Sequence, residues 1–262
     1  MMVAETADEI RSSEFYRHVL ESMNADGVRF LVGGAYALEH YTGISRRTKD
    51  IDLFVHPDEV HAALRLLEGA GYETEVTSPI WLGKARCGDD FVDVIFSSGN
   101  GVARVDDEWF AYAAEGEILG VRVKLCAPEE MIWSKSFVME RERYDGADIA
   151  HIIRACGAGM DWRRLLSRFG DHWRVLLAHL VLFGFIYPCE RDVVPEWVMR
   201  ELVGRLEPEL AGKSAENPLC RGTLLSRYQY RIDLDEWGYR DGRVRPSGKM
   251  TRRQAHAMDR ER

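Results

Sequence analysis

Apolar residues recur along the chain at two spacings, and each spacing predicts a different kind of element. A spacing of three and four residues within 12–24 predicts an amphipathic helix that packs on a sheet. The apolar run Phe30, Leu31 and Val32 predicts a short strand that stops at Gly33 and Gly34. A helix is predicted next, over about 35–41, and then a second strand over 50–55. The first part of the chain is therefore a strand, a glycine turn, a helix and another strand.

Further strands are predicted over 72–76, 80–85, 91–96 and 118–125, with turn signals between them. Pro57 is placed to begin a helix ending at Gly69 or Gly71, and Pro128 begins another that runs to about residue 141. Short turns join most of the later strands, so we expect most of them to be antiparallel. The order predicts an α+β fold, a mixed sheet flanked by helices.

Beyond residue 160 the pattern contains only helices, over 162–169, 172–185 and 196–206, and glycines cluster just before it. We therefore expect a core over 1–157, a helical C-terminal domain over 158–240 and a basic, flexible tail over 241–262. Residues 221–243 interleave arginines with tyrosine and tryptophan, a mixture that suits stacking on nucleic-acid bases. A segment folding back over the core explains the same mixture equally well.

Composition narrows the class of protein. The 262 residues are 46% apolar, enough for a sizeable core, and no N-terminal leader or long apolar run is evident, so we expect a cytoplasmic protein without membrane association. The five cysteines are widely spaced and form no CxxC motif, which argues against a zinc site or a disulfide framework. Net charge is −8, yet the last 23 residues carry eight Lys or Arg against three acids. The overall charge disfavours a general nucleic-acid-binding surface.

Two carboxylates occupy alternate positions of the predicted strand 50–55, so Asp50 and Asp52 project from the same face. Like charges this close repel each other and usually need a cation between them. Mg²⁺ prefers hard oxygen ligands and binds through one or two carboxylates together with phosphate oxygens. The alternative is a solvated strand end that binds no metal.

A third acid, Asp93, interrupts the otherwise apolar run FVDVIF. A carboxylate in a buried strand is costly unless it is paired or bound to a metal. Three acids and two metal ions can activate an attacking oxygen and stabilise a leaving one at phosphorus. The alternative for Asp93 is an ion pair with an arginine such as Arg86.

The glycine pair lets the backbone bend and brings the amides of a helix N-terminus close to an anion. A plain strand-to-helix turn would use the same residues.

These features together resemble a known signature: Gly33-Gly34, then Asp50-Ile51-Asp52, then Asp93 in a later strand. This arrangement resembles the polymerase-beta-like nucleotidyltransferase superfamily, over residues 25–157. The run RRTKDIDLFV resembles the stand-alone bacterial nucleotidyltransferases, including the AbiEii-type toxins of toxin–antitoxin pairs. Lys135 and Asp148 fit the lysine and aspartate that those toxins carry on helices after the sheet. Gly34 replaces the serine of many members.

The resemblance implies an enzyme that moves a nucleoside monophosphate from an NTP such as ATP to an acceptor hydroxyl of RNA or protein, with an antitoxin-like protein as an expected partner. It implies two Mg²⁺ ions, or Mn²⁺ in their place, held by Asp50, Asp52 and Asp93, with Lys135 as a further catalytic residue. The nucleotide-binding residues it implies are Gly33, Gly34, Arg46, Arg47, Lys49, Lys135 and Asp148.

Two other functions stay open at this point. One is a nucleotidyltransferase whose acceptor is a small molecule, such as an antibiotic hydroxyl. The other is a protein that binds an NTP and catalyses nothing, and the presence of all three acids argues against it.

Overall fold

The computed structural model describes residues 7–46, 48–212 and 217–260. The described residues form two compact units, the first from 7–99 and 104–127 and the second from 100–103 and 128–260. The change from one unit to the next thus falls between Ala127 and Pro128, earlier than the boundary near residue 157 that the glycine cluster predicts. Two helices of the predicted core, described below, belong to the second unit.

The first unit contains a seven-stranded sheet and four helices. In chain order they are α1 (Ala7–Ala25), β1 (Phe30–Val32), α2 (Gly34–Thr42), β2 (Asp50–Val55), α3 (Val60–Gly69), β3 (Glu73–Ser78), β4 (Leu82–Cys87), β5 (Asp90–Ile95), α4 (Asp107–Ala111), β6 (Ala114–Ile118) and β7 (Val121–Leu125).

The strands lie in the order β3-β4-β5-β2-β1-β7-β6. Two neighbouring pairs are parallel, β2 with β5 and β1 with β7, and the other pairs are antiparallel. The predicted α+β fold with a mixed sheet flanked by helices is confirmed. Burial alternates along β2. Ile51, Leu53 and Val55 are fully buried on one face of the sheet, and Asp50, Asp52 and Phe54 face the other side.

A single apolar core holds this unit together. Phe15, Val19, Leu20 and Met23 of α1 pack with α3 and with the buried face of the strands. Helical spacing in the sequence places these four side chains on one stripe of α1. The core thus fixes the strands whose opposite face carries the acids.

The predicted strand over 118–125 is wrong in extent, since the structure has a hairpin there. Leu119 and Gly120 both have positive φ, 52° and 79°, and turn the chain between β6 and β7. In β6, AEGEI, two glutamates are exposed between half-buried Ala114 and Gly116 and buried Ile118, so the strand carries no apolar run. The short helix α4 was not predicted from the sequence.

The second unit is mainly helical. Its elements are α5 (Pro128–Lys135), α6 (Gly146–Cys156), α7 (Trp162–Phe169), α8 (Trp173–Ile186), α9 (Glu196–Ala211), β8 (Leu219–Cys220), α10 (Arg231–Asp235), β9 (Arg240–Asp241) and α11 (Arg252–Met258). The helix predicted from Pro128 to about residue 141 is too long. The chain leaves α5 after Lys135, and Met139 instead forms a β-bridge with Tyr144.

One helical stretch of the described residues, Trp162–Ile186, is long and apolar enough to cross a membrane by length and composition. This is weak evidence, because a core helix of a soluble protein meets the same criteria. The stretch contains Arg163, Arg164 and Arg168. Gly170, with φ 45°, interrupts it between α7 and α8. Leu165 and Leu176 on the two helices are fully buried, as expected of core helices.

Residues 241–260, predicted as a flexible basic tail, are folded in the structure. Arg243 is 1% exposed, and Met250, Ala255 and Met258 are buried. Thr251 and Gln254 form a reciprocal capping box at the start of α11. The segment therefore packs as part of the second unit, with Met250 lying against Gly101.

Candidate active site

The turn between β1 and α2 is built around the two glycines. A Cβ at Gly33 would lie 2.3 Å from the ring of Phe54, and a Cβ at Gly34 would lie 1.7 Å from Oδ2 of Asp52. Gly34 also has φ 55°, which favours glycine. The amide of Gly33 donates to the carbonyl oxygen of Asp52 at 3.0 Å. The glycines are thus required by close packing against β2, and the N-terminus of α2 lies against the Asp52 carboxylate.

The N-cap residue of α2 is Gly33, which has no side chain to cap the helix. The first amides of a helix carry partial positive charge and can donate to an anion. The amides at the start of α2 follow β1 at Gly34, and Gly34 lies against the Asp52 carboxylate of β2. The turn therefore suits a phosphate group bound through a cation at Asp52.

The acids lie together on one face of the sheet. Asp50 and Asp52 are half-buried, while Ile51 between them is fully buried on the opposite face. In the parallel register of β2 and β5, Asp52 pairs with Asp93. The prediction that Asp50 and Asp52 share a face is confirmed, and Asp93 joins them on the adjacent strand.

Thr48 positions the first of these acids. Its hydroxyl donates a short hydrogen bond to Oδ1 of Asp50 and also contacts the Asp50 carbonyl oxygen at 3.2 Å. The charge of Asp50 also acts on Tyr36 of α2. The pKa of Tyr36 is raised to about 12, first by burial and then by the negative charges of Glu39 and Asp50. A cation near Asp50 would be favoured by this local negative potential.

Asp93 is paired, although not with the arginine considered from the sequence. The Nζ atom of Lys84 lies 2.5 Å from Oδ1 of Asp93, and each side chain is 15% exposed. Lys84 also lies 3.9 Å from the centre of the Phe91 ring. Arg86 instead contacts Glu75 at 3.0 Å. Burial raises the pKa of the Asp93 carboxyl, and the hydrogen bond from Lys84 opposes that rise.

The residues described do not show a ready-made metal cluster. Within 7–46, 48–212 and 217–260, no three His, Cys, Asp or Glu side chains are arranged to hold a metal ion. The donor set itself fits Mg²⁺, because Asp50 and Asp52 offer hard carboxylate oxygens on one face beside the N-terminus of α2. Asp93 carries its ammonium partner instead. Two Mg²⁺ ions held by all three acids stay a prediction.

The other predicted residues are divided between the two units. Arg46 and Lys49 lie in the loop before β2 in the first unit, and Arg47 lies outside the described residues. Lys135 and Asp148 belong to the second unit. There the Lys135 ammonium lies 3.0 Å from Asp145 and 2.9 Å from Asp148, with its side chain 17% exposed. These nucleotide-binding roles stay predictions.

Three functional candidates were missed from the sequence. Lys84 could be found only from the register of β4 against β5, in which Lys84 lies opposite Asp93. Thr48 gave only a weak signal, since threonine hydroxyls bond to the backbone two residues on, as the Asp50 amide does to Thr48 Oγ1 at 3.4 Å. Asp145 carries no functional signal in the sequence, because acids are common at helix starts, and the structure shows that it shares Lys135 with Asp148.

Carboxylates on neighbouring strands beside a glycine turn are the features in which the sequence resembles a nucleotidyltransferase. The model of the family described as "Nucleotidyl transferase of unknown function (DUF2204)" matches residues 12–165, more than half of the chain. The protein belongs to that family and is a transferase. No curated protein matches its sequence.

Solved structures give more distant similarities. The antibiotic-resistance factor ANT(2'')-Ia is 18% identical with a TM-score of 0.48, over 65% of this chain and 97% of that one. The lincomycin-bound lincosamide antibiotic adenylyltransferase LnuA is 17% identical, TM-score 0.39, over 53% and 94%. JHP933 from Helicobacter pylori is 13% identical, TM-score 0.42, over 79% and 99%. Similarities at this level do not assign a substrate.

Proposed function

We propose that the protein is a Mg²⁺-dependent enzyme that transfers a nucleoside monophosphate from an NTP to an acceptor hydroxyl and releases pyrophosphate. The observation that carries the proposal is the placement of Asp50 and Asp52 on one face of β2, with the N-terminus of α2 packed against Asp52. The family membership supports the reaction class.

Asp50 and Asp52 would hold the metal. When bound there, Mg²⁺ supplies charge neutralisation of the triphosphate and of the oxygens that gain charge during the displacement. Thr48 keeps the Asp50 carboxylate in place through its hydrogen bond. The amides at the start of α2, where the N-cap residue is Gly33, bind a phosphate oxygen. These residues bind and orient the nucleotide rather than react with it.

Asp93 has a separate role in this proposal, as the carboxylate that accepts the proton of the acceptor hydroxyl. A base must be ionised, and burial works against ionisation of Asp93. Lys84, at 2.5 Å, favours the ionised form and holds the carboxylate in one orientation. We therefore assign Lys84 as a positioning residue for Asp93.

Replacing Lys84 by methionine should lower kcat/KM at neutral pH by roughly 10- to 100-fold. Loss of the ammonium raises the pKa of Asp93 further, so a smaller fraction of the carboxyl is ionised at a given pH. The acidic limb of the pH profile of kcat/KM should therefore move to higher pH, and part of the activity should return there. The profile is measured as initial rates across the pH range.

Arg86→Met is the matched control, because Arg86 lies on the same strand and its pair with Glu75 is exposed. It should move the profile much less than Lys84→Met does, because Arg86 is a weaker influence on the pKa of Asp93 than Lys84 is. A Lys84→Met profile that overlays the wild-type curve would remove Lys84 and Asp93 from the proton transfer.

We propose a macromolecular acceptor, an RNA or protein hydroxyl, as the first candidate. The supporting observation is the charge of residues 217–260, ten Lys or Arg against five acids, together with the exposed aromatic rings of Trp237 and Tyr239. A small-molecule acceptor is the second candidate, favoured by the net charge of −8 for the whole chain. A role as a toxin with an antitoxin partner belongs to the first candidate and depends on the resemblance to AbiEii-type proteins.

Incubation with each α-labelled NTP, Mg²⁺ and a cell extract separates these candidates. Label should move into the RNA or protein fraction, with one NTP preferred. Label confined to small molecules would replace the first candidate by the second. Absence of labelled product from all four NTPs in the extract would leave the proposed activity unsupported.

A further inference from the structure

The folded C-terminal segment of the second unit forms a partly open, polar pocket of about 380 Å³. Four arginines line it, Arg231, Arg240, Arg245 and Arg252, with the hydroxyl-bearing Tyr239 and Ser247 between them. None of these residues holds the metal or the NTP in the proposed reaction, although the charge of the same segment supports the proposed macromolecular acceptor.

Three aspartates also line the pocket, but internal arginines use their oxygens. Both oxygens of Asp241 accept hydrogen bonds from the buried Arg243, at 2.7 to 3.1 Å. Asp259 accepts from Arg243 at 2.9 and 3.2 Å and also pairs with Arg231. Asp235 accepts from Arg231 at 2.8 Å. The three carboxylates are therefore paired with arginines of the same segment.

The remaining arginines keep positive charge for a ligand. No acidic side chain in the described ranges pairs with Arg240 or Arg252, and the Nε of Arg245 donates to the carbonyl oxygen of Lys249 at 3.1 Å. Four lining arginines and Arg243, which pairs with the lining aspartates, give five positive charges against three negative ones. Two positive charges are therefore in excess. A ligand with two negative charges would balance them.

We propose that this pocket binds a dianionic phosphoryl group, that of a phosphate monoester or inorganic phosphate. A guanidinium donates two parallel hydrogen bonds to a phosphoryl group and stays charged at every physiological pH. Arg240 and Arg252 both line the pocket and come from different elements, β9 and α11, so two separate parts of the chain supply the contacts. The Ser247 hydroxyl can donate to an oxygen that the arginines do not reach. The site does not depend on the proposed transfer reaction.

The experiment uses the full chain and follows the imidazole proton resonances of His256, which lines the pocket, during titration with inorganic phosphate. The resonances should shift and saturate. Arg252→Gln should weaken phosphate binding about tenfold or more, since one charge-assisted contact is lost. Arg253→Gln is the control on the same helix, because Arg253 does not line the pocket, and it should change affinity less than twofold. Arg240→Gln gives a second test from another element and should weaken binding as Arg252→Gln does.

Two oligonucleotides distinguish the sources of the phosphoryl group, one with a 5′-phosphate and the other identical but without it. The phosphorylated one should compete with inorganic phosphate, and the other should not move the His256 resonances. Equal competition by both would overturn the assignment in favour of backbone phosphodiesters. Lack of any saturable shift, or a shift unaffected by Arg252→Gln and Arg240→Gln, would overturn the site itself. Transfer activity is measured separately, so failure here leaves the proposed function untouched.

Discussion

Replacing Asp50 and Asp52 together by asparagine should reduce nucleotide transfer by about 10³-fold or more. Both carboxylates lie on the same face of β2, and their amide counterparts would be poor ligands for Mg²⁺. A metal's charge stabilisation amounts to several kcal/mol, and about 1.4 kcal/mol corresponds to a factor of ten in rate. Initial rates with labelled NTP measure the loss.

The same double variant should remain folded. Asparagine has nearly the shape of aspartate, its Oδ1 can still accept the hydrogen bond from Thr48, and removal of two like charges relieves repulsion. Its melting temperature without Mg²⁺ should therefore equal or exceed that of the wild type. Asp58→Asn is the control, because Asp58 is an exposed acid shortly after β2, and it should keep full activity. Full activity in the double variant would remove both acids from the site.

Replacing Arg164 by methionine should destabilise the second unit by about 3–5 kcal/mol. Arg164 is buried and lies 2.6 Å from Glu129 and in close contact with Glu130, which also accepts from Arg168 at 3.2 Å. Both glutamates are buried at the start of α5, and Glu130 has no exposure at all. Without Arg164, the carboxylate of Glu129 loses its cation, which is the costly way to break a buried ion pair. Urea unfolding followed by tryptophan fluorescence measures the change, since several tryptophans lie in this unit.

Arg163→Met on the same helix is the matched control. Arg163 is exposed and contacts the ring of Trp197 at 5.0 Å, so its replacement should cost less than about 1 kcal/mol. The pH dependence gives a second test. Burial raises the pKa of Glu130 and the arginines oppose that rise, so the pKa in the variant should rise further. The variant's deficit against the wild type should then shrink as the pH falls through that pKa. An Arg164→Met deficit equal to that of Arg163→Met would show that the network adds no stability.

The sequence allowed prediction of the parts of the site that depend on local pattern. The order strand, glycine pair, helix and acid-bearing strand is correct, because apolar spacing and glycine are local signals. The face shared by Asp50 and Asp52 follows from the period of two in a strand. Asp93 was placed in a strand, and the sheet order that puts β5 beside β2 came only with the structure.

Cross-strand partners could not be predicted, because they depend on register. Lys84 and Arg86 are two residues apart on one face of β4, and both were compatible with an ion pair to Asp93. The antiparallel register places Lys84, not Arg86, opposite that acid. Burial of Arg243 was missed for a similar reason. The first partner of Arg243, Asp241, is its near neighbour in the sequence. The second partner, Asp259, comes close to Arg243 only because α11 folds back toward it.

The measurement that tests the central claim most directly compares the fate of α-labelled and γ-labelled NTP with the wild-type protein, with Mg²⁺ and with the metal chelated. Transfer of a nucleoside monophosphate predicts that the α-label enters the acceptor, that the γ-label leaves in pyrophosphate, and that both events stop without the metal and in the Asp50→Asn, Asp52→Asn variant. Transfer of the γ-label to the acceptor, or transfer of the α-label that persists in the chelated sample, would contradict the account.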